Sequence, residues 1–411
     1  MVDPRPRTTW KKSTVRTLLL ENIHPDAVQT LTESGHDIRT MDRALSVDDL
    51  KTELANVELL GIRSGTTVTA EAMDAAPHLR AIGAFCIGTN QIDLPAAAAR
   101  GIAVFNAPYS NTRSVVEIAL AEIIALTRRL TDKTRDMHAG LWNKSAAGAH
   151  EVRGRRLGIV GYGNIGSQLS VLAEALGMTV YFYDTAEKLA LGTARRCSSL
   201  NELLGAVDVV TLHVDGRPGN RGLFGEDEFA LMRQGSIFLN LSRGFVVDHA
   251  ALRAHIESGH LAGAAIDVFP TEPKRKGEEF VSELRGLDNV ILTPHIGGST
   301  EEAQQDIGGF VAGKLRDYAA LGRTTLSVNL PPLNLGELEG RCRLAHIHRN
   351  VPGVLATVNG LLAEHGVNIE SQQLATVGDI GYAATDTRGV PPEIVDKLAG
   401  LPETISLRVL S

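Results

Sequence analysis

The sequence predicts an α/β protein with two doubly wound parallel sheets and a small C-terminal module of the ferredoxin-like type. Short apolar runs alternate with helical patterns between residues 15 and 105 and again between 157 and 293, which is typical of parallel sheets covered by helices on both faces. From residue 341 onward the order changes to strand, helix, strand, strand, helix, strand, the split βαβ pattern. A length of 411 residues suits between two and three domains.

Composition and charge exclude several classes of protein. Apolar residues make up 43% of the chain, charged residues 22%, and the formal net charge is -7, which excludes a disordered or fibrous chain and gives no electrostatic basis for binding nucleic acid. No apolar run approaches the roughly 18 residues of a membrane span, and the basic, polar residues 1–14, interpreted as a solvated tail, lack the apolar core of a secretion signal. Cys86, Cys197 and Cys342 lie far apart and outside CxxC pairs. We therefore expect neither a disulfide framework nor a cysteine zinc site, and we favour the reducing cytoplasm.

The first alternating series predicts four buried strands and three helices. The strands are expected over residues 15–20, 57–62, 79–84 and 103–105, and the helices over 26–34, 47–54 and 93–100. Ser114 and Glu117 then form a capping-box pattern before an apolar stretch that reaches residue 126. Because this stretch is apolar nearly all round, we expect a helix buried between domains or subunits.

The second series predicts six strands, and the closing module predicts four. Those of the second series are expected over residues 157–160, 179–183, 207–214, 236–240, 262–266 and 290–293. A capping-box pattern at Ser299 and Glu302 predicts a helix to about residue 321, and the proline-containing stretch from there to residue 340 is interpreted as a linker. The closing strands are expected over 342–348, 369–376, 382–387 and 405–410, with helices over 354–365 and 392–398.

A GxGxxG motif occupies residues 161–166, between a predicted strand and a helical pattern. Such glycines let the backbone approach a pyrophosphate at a helix N-terminus, so Gly161, Gly163 and Gly166 predict a Rossmann-like dinucleotide site. Asp184 ends the next strand, where a carboxylate accepts ribose hydroxyls and repels a 2′-phosphate. No arginine follows it directly, so we predict NAD rather than NADP. The alternative is a glycine turn that only lets the strand and helix pack closely.

Three further strand ends carry polar groups suited to the oxidation of a hydroxyl group. Arg243, Glu272 and His295 follow the strands predicted to end at residues 240, 266 and 293, and strand carboxyl ends edge the ligand crevice of an open sheet. A histidine can take the hydroxyl proton, a carboxylate fixes its tautomer, and a guanidinium grips a substrate carboxylate. Alternatively, the three are structural: a loop cap, a solvated acid and a packed imidazole.

These segments resemble the NAD-dependent D-2-hydroxyacid dehydrogenases. The resemblance rests on GYGNIG at 161–166, YFYD at 181–184, SRG at 242–244, AAIDVFPTEP at 264–273 and TPHIGGST at 293–300. A bacterial branch of that family acts on 3-phosphoglycerate. The closing module is similar to that branch, and so are three further segments: AFCIGTNQIDL at 84–94, FNAPYSNTRSVVE at 105–117 and WNK at 142–144. The match runs from about residue 15 to the C-terminus.

The resemblance implies a domain plan and a set of site residues. It implies a discontinuous substrate-binding domain of residues 1–110 and 299–327, an NAD-binding domain of residues 111–298, a linker of residues 328–340 and an ACT domain of residues 341–411. Arg243 would bind the substrate, His295 would be the general acid/base and Glu272 would support it. Besides the three glycines, the implied NAD contacts are Asn164, Ile165, Asp184, Leu241, Ser242, Asp267, Gly297 and Gly298. Substrate binding is implied for Arg63, Ser64, Asn111 and Lys144, and effector binding for His348, Asn350 and Asn368.

The implied reaction is the NAD-dependent oxidation of 3-phospho-D-glycerate to 3-phosphohydroxypyruvate, the entry to L-serine synthesis. The resemblance also implies a cytoplasmic homotetramer that L-serine inhibits. Three residues depart from the family pattern. Gly65 stands where close members often have a second arginine, Leu241 replaces the usual alanine, and Arg349 stands where close relatives often have an acid. Two alternatives remain open: another D-2-hydroxyacid dehydrogenase, acting on glycerate, lactate or 2-hydroxyglutarate, or a non-catalytic scaffold that senses NAD.

Overall fold

The computed structural model describes residues 14–273 and 277–411, so the tail expected over residues 1–14 lies, apart from residue 14, outside the described residues. The chain divides into two units. The first comprises the residues up to Ser110 together with Gln304–Ser411, and the second comprises Asn111–Ala303. The first unit therefore contains both the first parallel sheet and the C-terminal module.

A five-stranded parallel sheet occupies the N-terminal part of the first unit. Its strands are β1 (Arg16–Leu19), β2 (Asp37–Thr40), β3 (Leu59–Ile62), β4 (Ala81–Ala84) and β5 (Ala103–Phe105), and its helices are α1 (Pro25–Glu33), α2 (Val47–Glu53), α3 (Ala70–Asp74) and α4 (Leu94–Ala99). The strand order is β2-β1-β3-β4-β5. Sequence reasoning missed α3 and β2. Strand β2 lies at the sheet edge with only Ile38 half-buried, so it lacks the apolar run that marks the other strands.

A seven-stranded parallel sheet, preceded by two helices, forms the second unit. The elements are α5 (Thr112–Thr127), α6 (Leu130–His138), β6 (Arg156–Val160), α7 (Asn164–Ala175), β7 (Thr179–Tyr183), β8 (Arg195–Arg196), α8 (Leu200–Ala206), β9 (Val209–Leu212), α9 (Glu226–Leu231), β10 (Ser236–Asn240), α10 (His249–Glu257), β11 (Leu261–Ile266) and β12 (Val290–Leu292). The order β12-β11-β10-β9-β6-β7-β8 contains all six predicted strands and adds β8. The chain crosses from one side of β6 to the other before β9, and open α/β sheets bind ligands at such a switch point.

Both predicted capping boxes differ from the structure. Helix α5 begins two residues before Ser114, and the Ser114 hydroxyl lies 2.9 Å from Oγ1 of Thr300 instead. Helix α11 (Glu301–Leu321) is capped by Thr300 rather than Ser299, since Oγ1 of Thr300 accepts the N–H of Ala303 at 3.1 Å. For α5 the N-cap is Asn111 and no side chain caps the first turn, whereas for α11 the backbone path brings Thr300 rather than Ser299 to the free N–H groups.

The C-terminal module has the ferredoxin-like topology that the sequence predicts. Its elements are β13 (Cys342–Arg349), α12 (Val354–Glu364), β14 (Ser371–Val377), β15 (Ile380–Thr387), α13 (Pro392–Ala399) and β16 (Thr404–Leu410), with the antiparallel order β14-β15-β13-β16. One face of the sheet packs against α12 and α13. The other face packs near the end of α11, where the Tyr382 hydroxyl donates a 2.6 Å hydrogen bond to the Gly322 carbonyl. Leu330, Leu333 and Leu335, all within the predicted linker, are buried in the same core.

Candidate active site

The glycine motif connects β6 to α7, as the sequence predicts. Its residues lie in the loop and the first turn of α7: Gly161, Gly163, Asn164, Ile165 and Gly166. Gly161 has φ +93°, and a Cβ there would lie 2.6 Å from the carbonyl oxygen of His213, so only glycine fits. Gly163 is the N-cap of α7, and no side chain caps this helix. The first N–H groups of α7 are therefore available to an anion, which fits the pyrophosphate of a dinucleotide.

Asp184 follows β7 and is bonded to the glycine loop. Its Oδ2 accepts the N–H of Tyr162 at 2.8 Å, and its Oδ1 accepts the N–H of Ala186 at 2.8 Å. Sequence reasoning missed Arg196, whose guanidinium donates to the carbonyls of Asp184 at 3.4 Å and Ala186 at 3.2 Å. Because β8 pairs with β7, an arginine lies beside this loop even though none directly follows Asp184 in sequence.

Arg243 lies in the turn after β10. Asn240 holds this turn, because its Oδ1 accepts the N–H of Ser242 at 3.0 Å and the Ser242 hydroxyl at 2.8 Å, while its Nδ2 donates to the Arg243 carbonyl at 3.1 Å. The next residue, Gly244, lies so close to the Phe269 backbone that a Cβ on it would overlap with the Phe269 carbonyl. The turn that carries the guanidinium is therefore adjacent to the loop that carries the predicted carboxylate.

Glu272 and His295 form a hydrogen-bonded pair. Oε2 of Glu272 lies 2.9 Å from Nδ1 of His295, and Oε1 accepts the N–H of Phe269 at 3.1 Å. Since an ionised carboxylate can only accept, Nδ1 carries the proton and Nε2 keeps its lone pair. The hydrogen bond that His295 donates to Glu272 raises the pKa of His295 against the opposing effect of burial. Burial alone would raise the pKa of Glu272, but the hydrogen bond and charge of His295, with Arg243 contributing, lower it.

Asp267 holds the loop that carries His295. Its Oδ1 accepts the Thr293 hydroxyl at 2.6 Å and the N–H of Ile296 at 2.8 Å, and its Oδ2 accepts the N–H of Gly297 at 2.8 Å. His295 has φ +54°, a conformation uncommon for residues other than glycine. The three hydrogen bonds to Asp267 stabilise that backbone conformation and thereby hold the His295 side chain in position.

Asn111 contacts the other end of this loop. Its side-chain amide lies so close to Gly298 that a Cβ on Gly298 would overlap with it. Oδ1 of Asn111 is buried and has no hydrogen-bond partner among residues 14–273 and 277–411. Leu241 and Ser242 are also buried. A buried oxygen without a partner is a group that a bound ligand can satisfy, which agrees with the ligand role predicted for Asn111.

A buried acid on α5 escaped sequence reasoning. Glu122 is 4% exposed, and neither carboxyl oxygen has a hydrogen-bond partner in the described part of the chain. Burial, and then the negative charge of Asp267, raise the pKa of Glu122 to about 8. Glu122 shares a helical face with Val115, Ala119 and Leu126, all buried, and this spacing is the signal that could have identified it.

The remaining predicted substrate residues lie elsewhere in the chain. Arg63 and Ser64 belong to the first unit and follow β3, where Arg63 is half-buried and Ser64 is exposed. Lys144 lies in an exposed segment after α6, next to Trp142, which is 81% exposed. The groups that the second unit itself brings together are Arg243, Asp267, Glu272, His295, Gly297 and Gly298, with Asn111 beside them.

The three predicted effector residues lie in the C-terminal module in different surroundings. His348 is 3% exposed, its Nδ1 donates to the Arg349 carbonyl at 2.8 Å, and its Nε2 is buried without a partner among the described residues. Asn350 is exposed and its side chain donates to the Gly378 carbonyl at 3.0 Å. Asn368 is exposed in the turn before β14.

Residues 14–273 and 277–411 contain neither a metal-binding cluster of side chains nor a membrane-spanning helix. No group of three or more His, Cys, Asp or Glu side chains there could hold a metal ion. No helix there combines the length and the apolar character that crossing a membrane requires.

Known proteins are similar to this chain over nearly its whole length. Residues 120–297 match the NAD-binding domain of the D-isomer specific 2-hydroxyacid dehydrogenases, and residues 344–406 match the ACT domain of the type found in the AHAS small subunit. The chain is 51% identical over 407 residues to D-3-phosphoglycerate dehydrogenase of Haemophilus influenzae, and the aligned region covers 98% of this chain and 99% of that protein. It is 48% identical over 408 residues to D-3-phosphoglycerate dehydrogenase of Escherichia coli, with the same coverage.

A solved structure shares the fold of the two parallel sheets. D-lactate dehydrogenase from Aquifex aeolicus, complexed with NAD and lactic acid, is similar over 74% of this chain and 95% of that chain, with a TM-score of 0.65 and 26% identity.

Proposed function

Because this chain belongs to the D-isomer specific 2-hydroxyacid dehydrogenases, within the group of proteins named D-3-phosphoglycerate dehydrogenase, we propose that it oxidises 3-phospho-D-glycerate to 3-phosphohydroxypyruvate. The enzyme is an NAD-dependent dehydrogenase. The observation that carries the proposed chemistry is the 2.9 Å bond between Glu272 and His295, since it leaves one imidazole nitrogen able to take a proton. By resemblance, the product feeds L-serine synthesis.

The described residues fit NAD and divide the chemistry between them. The uncapped start of α7 suits the pyrophosphate, and both oxygens of Asp184 lie at the end of β7, where the adenosine ribose binds in such folds. When bound, NAD supplies the hydride acceptor. Nε2 of His295 takes the proton of the substrate hydroxyl, and Glu272 stabilises the imidazolium that forms. Arg243 pairs with the substrate carboxylate through two parallel hydrogen bonds and polarises the reacting oxygen.

The phosphate of the substrate requires a further cationic site. We assign it to Arg63 and Ser64 of the first unit, with Lys144 reaching a neighbouring subunit's site, as the resemblance implies. Arg63 is half-buried as a residue, and a cation that is partly shielded from water attracts an anion more strongly than a fully solvated one.

The test is to measure NADH formation with 3-phosphoglycerate, glycerate and 2-hydroxyglutarate in parallel. We expect kcat/KM for 3-phosphoglycerate to exceed the others by at least roughly tenfold, about 1.4 kcal/mol of transition-state binding. Arg63→Ala should remove most of this preference without abolishing oxidation of glycerate. A higher kcat/KM for another hydroxy acid would identify a different dehydrogenase of the family. No turnover with any of them, together with tight NADH binding, would favour a scaffold that senses NAD.

The C-terminal module supports a regulatory role. We infer that L-serine binds between the modules of two subunits, held by His348, Asn350 and Asn368, and lowers the rate. Asn368 and Asn350 are exposed, whereas His348 offers only a buried, unpartnered Nε2 within the described residues. Strand β14 lies at the sheet edge, and such an edge can pair with the same edge of a second copy. Arg349 adds a positive charge beside this site and bears on which amino acid binds.

We infer a homotetramer in which the segment around α6 contacts another subunit. Leu130, Met137, Leu141 and Trp142 in this segment are each more than half exposed, and a cluster of exposed apolar side chains marks an interaction surface. All three cysteines lie among the described residues without a disulfide, which supports a cytoplasmic location.

A further inference from the structure

Glu21 lies at the carboxyl end of β1, beside the turn that follows β3. The two strands are neighbours in the sheet, with Leu19 opposite Gly61, so the segments that follow them leave the sheet side by side. The segment after β3 contains Arg63 and Ser64, to which we assign the substrate phosphate. Glu21 has no role in the proposed function.

The Glu21 carboxylate collects three backbone N–H groups of this turn. Oε1 accepts from Arg63 at 3.2 Å and from Thr66 at 2.9 Å, and Oε2 accepts from Gly65 at 2.7 Å. Each bond is charge-assisted, and an ionised carboxylate is the side chain that offers two oxygens which only accept. The turn is therefore folded around the end of the Glu21 side chain.

The local backbone is shaped to place this carboxylate. Glu21 and Asn22 have φ values of +64° and +53°, and two consecutive left-handed residues other than glycine are uncommon because each Cβ crowds the following carbonyl. Such strain persists only where interactions with the surroundings outweigh its cost, and here the three hydrogen bonds to Glu21 provide those interactions. Gly65 belongs to the same arrangement, because a Cβ on it would lie 2.9 Å from Oε2 of Glu21 and 3.1 Å from Cβ of Ala44.

We propose that Glu21 is a positioning residue that holds Arg63 where it binds the phosphate group of the substrate, an inference that rests on the proposed function of Arg63. Gly65 brings no charged side chain to the turn, so Arg63 is the cation of residues 63–66. Its placement then decides how well the turn binds an anion. Simple electrostatics predicts the opposite role for Glu21, because a carboxylate near a phosphate repels it. The two explanations therefore predict KM changes of opposite sign.

Glu21→Gln tests this sign. The amide nitrogen of glutamine cannot accept a hydrogen bond, so at least one backbone N–H of the turn loses its partner. We expect KM for 3-phosphoglycerate to rise at least roughly tenfold while kcat changes less than about twofold, since the loss falls on binding. NADH affinity should stay unchanged. Glu33→Gln is the matched control, because Glu33 is an exposed acid of the same unit, bonded to Gln29. An unchanged or lower KM in Glu21→Gln overturns the proposal.

Two further measurements separate positioning from general loss of structure. If Glu21 acts through Arg63, adding Glu21→Gln to Arg63→Ala should raise KM no further than Arg63→Ala alone, whereas additive increases would overturn the proposal. Hydrogen exchange of residues 63–66 needs no substrate and should be faster in Glu21→Gln than in the wild type. Unchanged exchange would show that Glu21 does not hold this turn. A wild type that does not oxidise 3-phosphoglycerate would refute the proposed function instead, and the exchange result would still decide whether Glu21 holds the turn.

Discussion

Replacing Glu122 by glutamine should stabilise the second unit, and the gain should grow with pH. Burial, and then the charge of Asp267, raise the pKa of Glu122 to about 8, against an ordinary value of 4.5. Below pH 4.5 the acid is protonated in both the folded and the unfolded chain, so its contribution to stability is fully present. Between these two values the unfolded chain releases a proton that the folded chain retains, and stability falls until the folded group also ionises.

The size of the effect follows from the difference between the two pKa values. A difference of roughly 3.5 pK units lowers the free energy of unfolding by an amount on the order of 5 kcal/mol, and this loss is complete by about pH 8. Glutamine does not titrate, so Glu122→Gln avoids this loss. We therefore expect its Tm to approach that of the wild type near pH 5 and to exceed it by roughly 10 °C or more at pH 8, since 1 kcal/mol shifts the Tm of a unit of this size by about 2–4 °C.

The assay is thermal unfolding of both proteins at several pH values between 5 and 8.5, following the transition that NADH shifts upward. Glu117→Gln is the matched control. Glu117 lies on the same helix but is exposed and paired with Arg113, and such surface pairs contribute about 0–1 kcal/mol. A Tm difference between Glu122→Gln and the wild type that is the same at every pH would refute the reasoning, because it would mean that Glu122 does not change its protonation in this range.

Five other expectations concern the cofactor, the chemistry, the assembly and the effector. Asp184→Ala should narrow the preference for NAD over NADP by at least roughly tenfold, about 1.4 kcal/mol, measured as kcat/KM with each cofactor; a wild type that uses both equally would contradict the assignment. His295→Ala should lower kcat on the order of 10²- to 10⁴-fold while NADH still binds. In Glu272→Gln the bond that raises the pKa of His295 weakens, so the acid limb of the oxidation profile should move to lower pH, and an unmoved limb would count against the pair. Trp142→Ala should yield a smaller assembly in light scattering, and an assembly of unchanged size would count against a subunit contact at Trp142. Asn368→Ala should leave the uninhibited rate intact and abolish inhibition by serine, tested beside glycine, alanine and threonine; if none of these alters the rate or Tm of the wild type, the module is structural.

Buried strands such as β3 and β4 were predictable because each is a continuous run of apolar residues and glycine. All positions of β3 and β4 are buried, and both were expected. Strand β2 was missed because it lies at an edge with polar side chains, and β8 because two arginines carry no strand signal. These two strands owe their existence to neighbours already in the sheet, which is a tertiary effect that local sequence does not encode.

The candidate site was predictable where the topology of the sheet alone shows which residues lie close together. The rule that strand carboxyl ends meet at one edge placed Glu272 near His295, and the structure joins them at 2.9 Å. The same rule applied to β1 would have drawn attention to Glu21, which directly follows the apolar run of that strand. What the rule could not give is the partner. The three N–H groups bonded to Glu21 come from residues 42 to 45 positions later, and only the folded backbone brings them within reach.

The acids around the second sheet also favour His295 as the group that takes the proton in the proposed reaction. Both oxygens of Asp267 accept hydrogen bonds from its neighbouring loop, and both oxygens of Asp184 accept backbone N–H groups. Glu272 accepts one N–H and the imidazole itself. Glu122 is buried and, with its pKa raised to about 8, already holds a proton at neutral pH. A carboxylate engaged in this way loses those bonds if it takes a proton, so each is a poor base. Among these groups, the lone pair left on Nε2 of His295 is the acceptor that a substrate hydroxyl can use.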